Sequence, residues 1–235
     1  MPFSLIVSMD LKGGIGINNK LPWHIPGDMD WFKINTLNKT VIMGSNTYFS
    51  LPNKFKPLPN RKNVVLTKDQ GKRYIIENEG AIVRTSVDDV IDEFKDEDCF
   101  IIGGQNIYDQ FIEHVNYLYI TKVAGDYKCD SFFKHLPKDN DYEWIKCEDT
   151  NYKEEGLYVF KFLIFKRIVD YNDLEFIYNF YQQTLEPDQL SFWGDKYSFR
   201  DTEDYARTKD KIKLYIRTNK LEKIKNMINE IKPSN

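Results

Sequence analysis

Short, nearly continuous apolar runs recur along the first two-thirds of the chain: "FSLIVSM" (3–9), "TVIMG" (40–44), "NVVLT" (63–67), "CFIIGG" (99–104) and "YLYITKV" (117–123). Their length and branched side chains predict strands, and their lack of alternation predicts burial on both faces. Helix-like segments lie between them. Residues 26–38 open with a proline and an acid, both suited to a first turn. Residues 45–50 follow a strand and a glycine, and residues 106–114 follow "GG". Residues 86–94 open "SVDD", which predicts Ser86 as an N-cap with an acid three positions on. Strands alternating with helices predict right-handed crossovers and a mostly parallel central sheet, hence an α/β fold. The long run "GLYVFKFLIFKR" (156–167) reads as an antiparallel C-terminal edge or hairpin strand.

After Arg167 the pattern changes. Leu174, Ile177, Tyr181 and Leu185 stand at helical spacing before Pro187. Ile212, Leu214 and Ile216 then alternate as in a strand. Leu221, Ile224, Ile228 and Ile231 form a final helical stripe. The expected organisation is one domain over 1–167 and a small helix–strand–helix extension over 168–235. A unit of that size buries little of its surface when alone. It is therefore expected to pack on the rest of the chain or, as a possible homo-oligomer, on a second copy.

Composition narrows the function. The 235 residues carry a net charge of −3, so no overall basic field gathers nucleic acid or anionic lipid. Residues 205–235 hold nine Lys/Arg against three Asp/Glu. An RNA- or protein-binding role for the extension is the alternative this suggests, against solvated lysines on an outer helix face. The three cysteines, Cys99, Cys129 and Cys147, have spacings of neither a zinc site nor a disulfide framework, and read as thiols of a reducing compartment. With no membrane-length apolar run and no signal-like N-terminus, a cytoplasmic location is expected. His24, His114 and His135 read as rim, structural or exposed residues, and no metal site is expected.

The stretch "LPWHIPGDMDWF" (21–32) carries the candidate chemistry. On a helix Asp28 and Phe32 share a face with Met29 beside them, so one carboxylate stands among apolar neighbours. It reads either as a first-turn acid on the helix dipole or as the anchor of a cationic or amidine-like ligand in an apolar pocket. Two strand–glycine–helix turns, "VIMGSNTY" (41–48) and "FIIGGQNIY" (100–108), favour the second reading, because uncovered N–H groups at helix starts suit phosphate. "GGIG" (13–16) lacks the dinucleotide-binding spacing and reads as a mobile covering loop.

The ordered set "LPW", "DMDWFK", "TLNKTVIMGSNTY", "PLPNRKNVVLT", "IIGGQNIYDQF" and "LYIT" resembles dihydrofolate reductase, over residues 3 to about 166. The resemblance implies NADPH-dependent reduction of dihydrofolate, with hydride passing from the nicotinamide to C6 of the pteridine. Asp28 falls on the family's active-site carboxylate, which binds the pteridine 2-amino group and N3 and promotes protonation at N5. Trp23 and Thr121 fall on its partners. Ile6, Val7, Ile102 and Tyr108 would border the pteridine, with Ile6 and Ile102 offering carbonyls to its amino group. Met29, Phe32, Leu51 and Leu58 would pack on the aminobenzoyl ring, and Arg61 would take the glutamate α-carboxylate. Ser8, Ile15 and Gly16 would meet the nicotinamide. Gly44, Ser45, Asn46, Thr47, Gly103, Gly104, Gln105, Asn106, Ile107 and Tyr108 would hold the phosphate-bearing part of the cofactor. Adenosine would lie by Leu66, Thr67 and Lys68. In the family the "GG" peptide is cis.

Two departures stand out. Members preferring NADPH usually carry arginine right after the "VIMG" glycine, where this chain has Ser45. The 2′-phosphate is then expected to rely on Lys68, with Arg84 as a second candidate. The loop "LPNKFKPLPNRK" (51–62) is also a few residues longer than in compact bacterial members. A riboflavin-pathway pyrimidine reductase of the same fold is disfavoured by Asp28, Phe32 and Arg61 standing in folate positions. About 68 residues beyond Arg167 are too few for a fused thymidylate synthase.

Overall fold

The computed structural model describes residues 3–138 and 144–167. The three elements expected in 168–235, and the apolar stripe of the last one, lie outside the described residues. The strands are β1 (Phe3–Met9), β2 (Gly14–Gly16), β3 (Thr40–Gly44), β4 (Lys62–Leu66), β5 (Ile82–Arg84), β6 (Cys99–Gly103), β7 (Val115–Val123), β8 (Ser131–Phe132), β9 (Trp144–Asp149), β10 (Lys153–Glu155) and β11 (Tyr158–Arg167). The helices are α1 (Pro26–Thr36), α2 (Ser45–Ser50), α3 (Gln70–Asn78), α4 (Val87–Phe94) and α5 (Gln105–Phe111).

The main sheet runs β10-β11-β7-β1-β6-β3-β4-β5, with β9 also paired to β11. From β7 to β5 every pairing is parallel, and β11 joins β7 antiparallel. The α/β fold and its antiparallel C-terminal edge are those expected from the hydrophobic pattern. Leu5, Val41, Ile42, Met43, Val64, Val65 and Ile101 are essentially inaccessible, which is why these strands read as unbroken apolar runs.

The differences are local. Helix α1 stops at Thr36, two residues early, because Leu37 is extended and Asn38 takes a left-handed conformation (φ 59°). Ser86 caps α4 by accepting the Asp89 N–H. The hydrophobic pattern gave no sign of α3, β2, β5, β8, β9 and β10. The "GGIG" segment, expected as a mobile loop, is held: Gly14–Gly16 forms a small two-stranded sheet with Ser131–Phe132. The cause is the Asp10 carboxylate, 1% exposed, which accepts the N–H groups of Lys12 (2.8 Å), Gly14 (2.8 Å) and Tyr127 (3.1 Å). Lys56–Pro57 and Gly103–Gly104 are cis peptides.

Candidate active site

In an open α/β sheet, ligands gather beyond the carboxyl ends of the strands, where connections diverge. Here β1 is flanked by β7 on one side and β6 on the other. Residues at or near the carboxyl ends of the strands, Ser8 on β1, Thr121 on β7, Gly103 on β6, Gly44 on β3 and Leu66 on β4, form one row along a single edge. The register supports that row: Ser8 pairs with Thr121, Met43 with Gly103, and Gly44 with Leu66.

The acid sits over one end of the row. Two residues of α1 are buried, and both are polar: Asp28 and Thr36. Asp28 is 8% exposed, and its Oδ1 accepts the Thr121 hydroxyl at 2.6 Å. Burial raises its pKa above 3.8, because a charge is poorly solvated there; Thr121 and, more weakly, Ser8 pull the other way by stabilising the ionised form. The neighbouring peptide is anchored from far along the chain. Ile25 gives α1 no side-chain cap. Instead Glu155, on β10, accepts the Gly27 N–H at 2.9 Å. Glycine permits that approach, since a Cβ there would lie 2.8 Å from Glu155 Oε2 and 3.3 Å from Phe160 Cζ.

Trp23 is buried, and its indole N–H donates to Ser8 Oγ at 3.1 Å. Tyr108 is buried on α5, and its hydroxyl donates to the Ile6 carbonyl at 2.9 Å. That carbonyl keeps a second lone pair for a ligand. Burial and the nearby Asp28 charge keep the Tyr108 hydroxyl neutral. Val7 is buried in one core cluster, and Ile102 is half-buried against the other, which holds Ile6. The structure thus brings Asp28, Thr121, Trp23, Ser8, Ile6 and Tyr108 into one corner.

The outer wall is looser. Phe32, Leu51 and Arg61 are half-buried, Leu58 is buried, and Met29 is 49% exposed. The Arg61 guanidinium lies 5.8 Å from the Phe32 ring centre. Its Nε donates to the Pro59 carbonyl (3.0 Å) and its Nη1 to Thr36 Oγ1 (3.1 Å). Nη2 and the second Nη1 hydrogen have no such partner among the described residues, which leaves two donors of the guanidinium able to take an anion. A separate open groove of about 660 Å³, between residues 37–40, 60–62 and 97–98, shares Arg61 with this site.

Along the row from the acid, α2 and α5 start side by side. Neither has a side-chain cap, so the first-turn N–H groups of Ser45, Asn46, Thr47, Gln105 and Asn106 are open to a ligand, while the Ile107 N–H already donates to the Gly104 carbonyl at 2.9 Å. Two glycines make the approach possible. Gly103 has φ +122°, and a Cβ there would lie 3.1 Å from the Tyr108 hydroxyl oxygen. A Cβ on Gly44 would lie 3.0 Å from Ile107, which packs beneath it. The Gln105 side-chain Oε1 accepts the Phe132 N–H at 2.8 Å, tying this turn to the strand that pairs with Gly14–Gly16.

Of the cationic candidates, Lys68 is exposed beyond Thr67 and makes no hydrogen bond or ion pair among the described residues. Arg84 is spoken for: its Nε and Nη2 hold both Glu93 oxygens at 2.6 and 2.7 Å. Lys72 is a further cation that the sequence did not suggest. It lies in the first turn of α3, and its Nζ is 3.4 Å from Asn46 Oδ1. Asp69, which accepts the Lys72 N–H at 3.0 Å, is the cap that could have announced that helix.

The chain's likenesses agree with this geometry. The family model described as dihydrofolate reductase matches residues 2–167. A dihydrofolate reductase of Haemophilus influenzae is 36% identical over 171 residues, 71% of this chain and 99% of that protein. One of Bacillus subtilis is 34% identical over 167 residues, 70% of this chain and 94% of that protein. One of Staphylococcus aureus is 38% identical over 133 residues, 57% of this chain and 78% of that protein. With a matched family model over most of its length and a buried carboxylate at the edge where the sheet diverges, the chain belongs to the dihydrofolate reductase family.

Proposed function

We propose that this chain catalyses NADPH-dependent reduction of 7,8-dihydrofolate to 5,6,7,8-tetrahydrofolate in the cytoplasm, supplying one-carbon carriers for thymidylate and purine synthesis. The observation that carries the reading is Asp28: a buried carboxylate, oriented by Thr121, among apolar walls. Such a group recognises an amidine-like edge through charge-assisted hydrogen bonds, and its burial raises its pKa above the ordinary carboxylate value. Asp28 holds the pteridine edge and favours the proton at N5. Ile6 and Ile102 present carbonyls to the amino group, Phe32, Leu51, Leu58 and Met29 embrace the aminobenzoyl ring, and Arg61 clasps the terminal carboxylate. The uncapped starts of α2 and α5 and the bare Gly103 and Gly44 fit a phosphate-bearing dinucleotide; when bound, its reduced nicotinamide supplies the hydride. An absorbance assay with dihydrofolate and each reduced nicotinamide cofactor tests the reading. Absence of dihydrofolate-dependent oxidation with either cofactor overturns it.

Preference for NADPH falls to Lys68, with Lys72 at the Asn46 side chain as a second cation, because Ser45 brings no charge. Lys68→Ala is expected to raise the NADPH Michaelis constant roughly tenfold, the value of one charge-assisted hydrogen bond, and to leave that for NADH nearly unchanged. Equal effects on both cofactors would place the 2′-phosphate elsewhere.

We also assign the reaction to residues 1–167 and a stabilising or assembly role to residues 168–235. A chain ending at Arg167 is expected to melt lower or change its mass by light scattering, while turnover per folded site hardly changes. Abolished hydride transfer in a fragment of unchanged mass and melting point would move the boundary of the active site.

A further inference from the structure

Ser8 has surroundings that add to the role suggested by its position in the sequence. On the family resemblance it would touch the nicotinamide. In the structure its hydroxyl has two other neighbours. Trp23 Nε1 donates to Ser8 Oγ at 3.1 Å. An indole N–H can only donate, so Ser8 Oγ is the acceptor and its own proton must point elsewhere. The strand register fixes the direction. Ser8 on β1 pairs with Thr121 on β7, and neighbouring residues of parallel strands project from the same face about 5 Å apart. Thr121 uses that face to donate to Asp28 Oδ1 at 2.6 Å. Ser8 therefore stands beside the hydroxyl that holds the acid, with a proton to spare.

We propose that Ser8 is a positioning residue: Trp23 pins its oxygen, and its hydroxyl joins Thr121 as a second donor that keeps Asp28 turned and ionised. The inference rests on Asp28 being the acid of the proposed reaction. Its electrostatic part agrees with the site, where Ser8 lowers the acid's pKa in the same sense as Thr121. Other elements bring two titratable groups to this corner, Tyr108 on α5 and Glu155 on β10 at the Gly27 N–H. Neither is altered by a change at Ser8. The arrangement has a logic. Burial alone drives a carboxylate towards its neutral form, which cannot form a charged pair with an amidine edge. Two hydroxyls counter that drift without adding a counter-charge that would compete with the ligand.

The test uses the full chain with Ser8→Ala and Ser8→Thr. The Asp28 carboxyl carbon is titrated by NMR, and the pH profile of single-turnover hydride transfer is recorded beside it. Ser8→Ala is expected to raise the Asp28 midpoint by roughly half a pH unit, the scale of losing one hydrogen bond to the charged form. The apparent midpoint of the kinetic profile should move the same way, with the NADPH Michaelis constant unchanged. Ser8→Thr keeps the hydroxyl and should restore both midpoints. An unmoved Asp28 midpoint with a weakened cofactor would make Ser8 a nicotinamide contact and overturn the proposal. Lowered melting temperature with unmoved midpoints in both variants would reduce Ser8 to packing and overturn it as well. If the unaltered chain transfers no hydride to dihydrofolate, the functional reading falls, while the NMR titration still decides whether Ser8 holds the acid.

Discussion

Asp28→Asn is expected to fold, to melt higher than the parent at pH 7, and to lose roughly 10²–10⁴-fold of kcat/KM there, the range for removing a proton-transfer group. The two effects share a cause. Burial raises the Asp28 pKa in the folded chain above its ordinary 3.8. Between those two values the folded state binds more protons than the unfolded state, so its stability falls as pH rises through the window. Asparagine avoids that cost, and its stabilising effect should be present at neutral pH and vanish as pH drops towards 3.8. The Thr121 hydroxyl retains an acceptor in the amide oxygen. Activity should recover partly at low pH, where the substrate arrives already protonated. Melting curves at neutral and acidic pH, paired with pH–rate profiles, check both halves. Full activity at pH 7 would remove Asp28 from the reaction.

Arg61→Ala should raise the Michaelis constant for dihydrofolate about 10–100-fold and leave kcat within a few-fold. A hydrogen bond between charged partners contributes about 1.5–3 kcal/mol, and a tenfold change in affinity corresponds to about 1.4 kcal/mol. The guanidinium lies on the outer wall beside Phe32, away from the Asp28 corner, so its loss removes binding common to ground and transition states. Arg61 also donates to Thr36, and Arg61→Lys serves as the comparison: charge without the fork, expected to fall between the parent and alanine. An unchanged Michaelis constant in both variants would assign the terminal carboxylate to another cation.

What could be read in the sequence follows from how local each cause is. Strands β1, β3, β4, β6 and β7 are buried on both faces, so their apolar runs stand out with no knowledge of their neighbours. Ser86 declared α4 because a cap acts within three residues. Helix α3 escaped because Gly71 interrupts its start and only Ile76 is buried, leaving Tyr74 and Ile75 exposed and no clear apolar face. Strands β9 and β10, "WIKCED" and "KEE", are too polar to stand out and are specified by pairing with β11. The site divides the same way. A carboxylate among apolar residues was visible at Asp28, and glycines before helix starts were visible at Gly44 and Gly103. That Thr121 meets Asp28 across 93 positions followed only from family resemblance. That Glu155 reaches Gly27 across 128 positions, and that Ser8 turns towards Trp23, had no local signal, because each depends on where the sheet brings distant segments.

The Asp10 carboxylate has a mechanical meaning. Its three backbone donors belong to two segments more than a hundred residues apart, Lys12 and Gly14 on one and Tyr127 on the other. Asp130 repeats the connection further along, accepting the Asn18 N–H at 2.8 Å. Two loops fastened through shared acceptors behave as a single hinged plate. Neither can peel back without breaking bonds to the other, so a change that loosens one loosens both. A substitution as remote as the 125–130 turn can therefore set the rhythm at which the face over Ile15 and Gly16 opens to solvent.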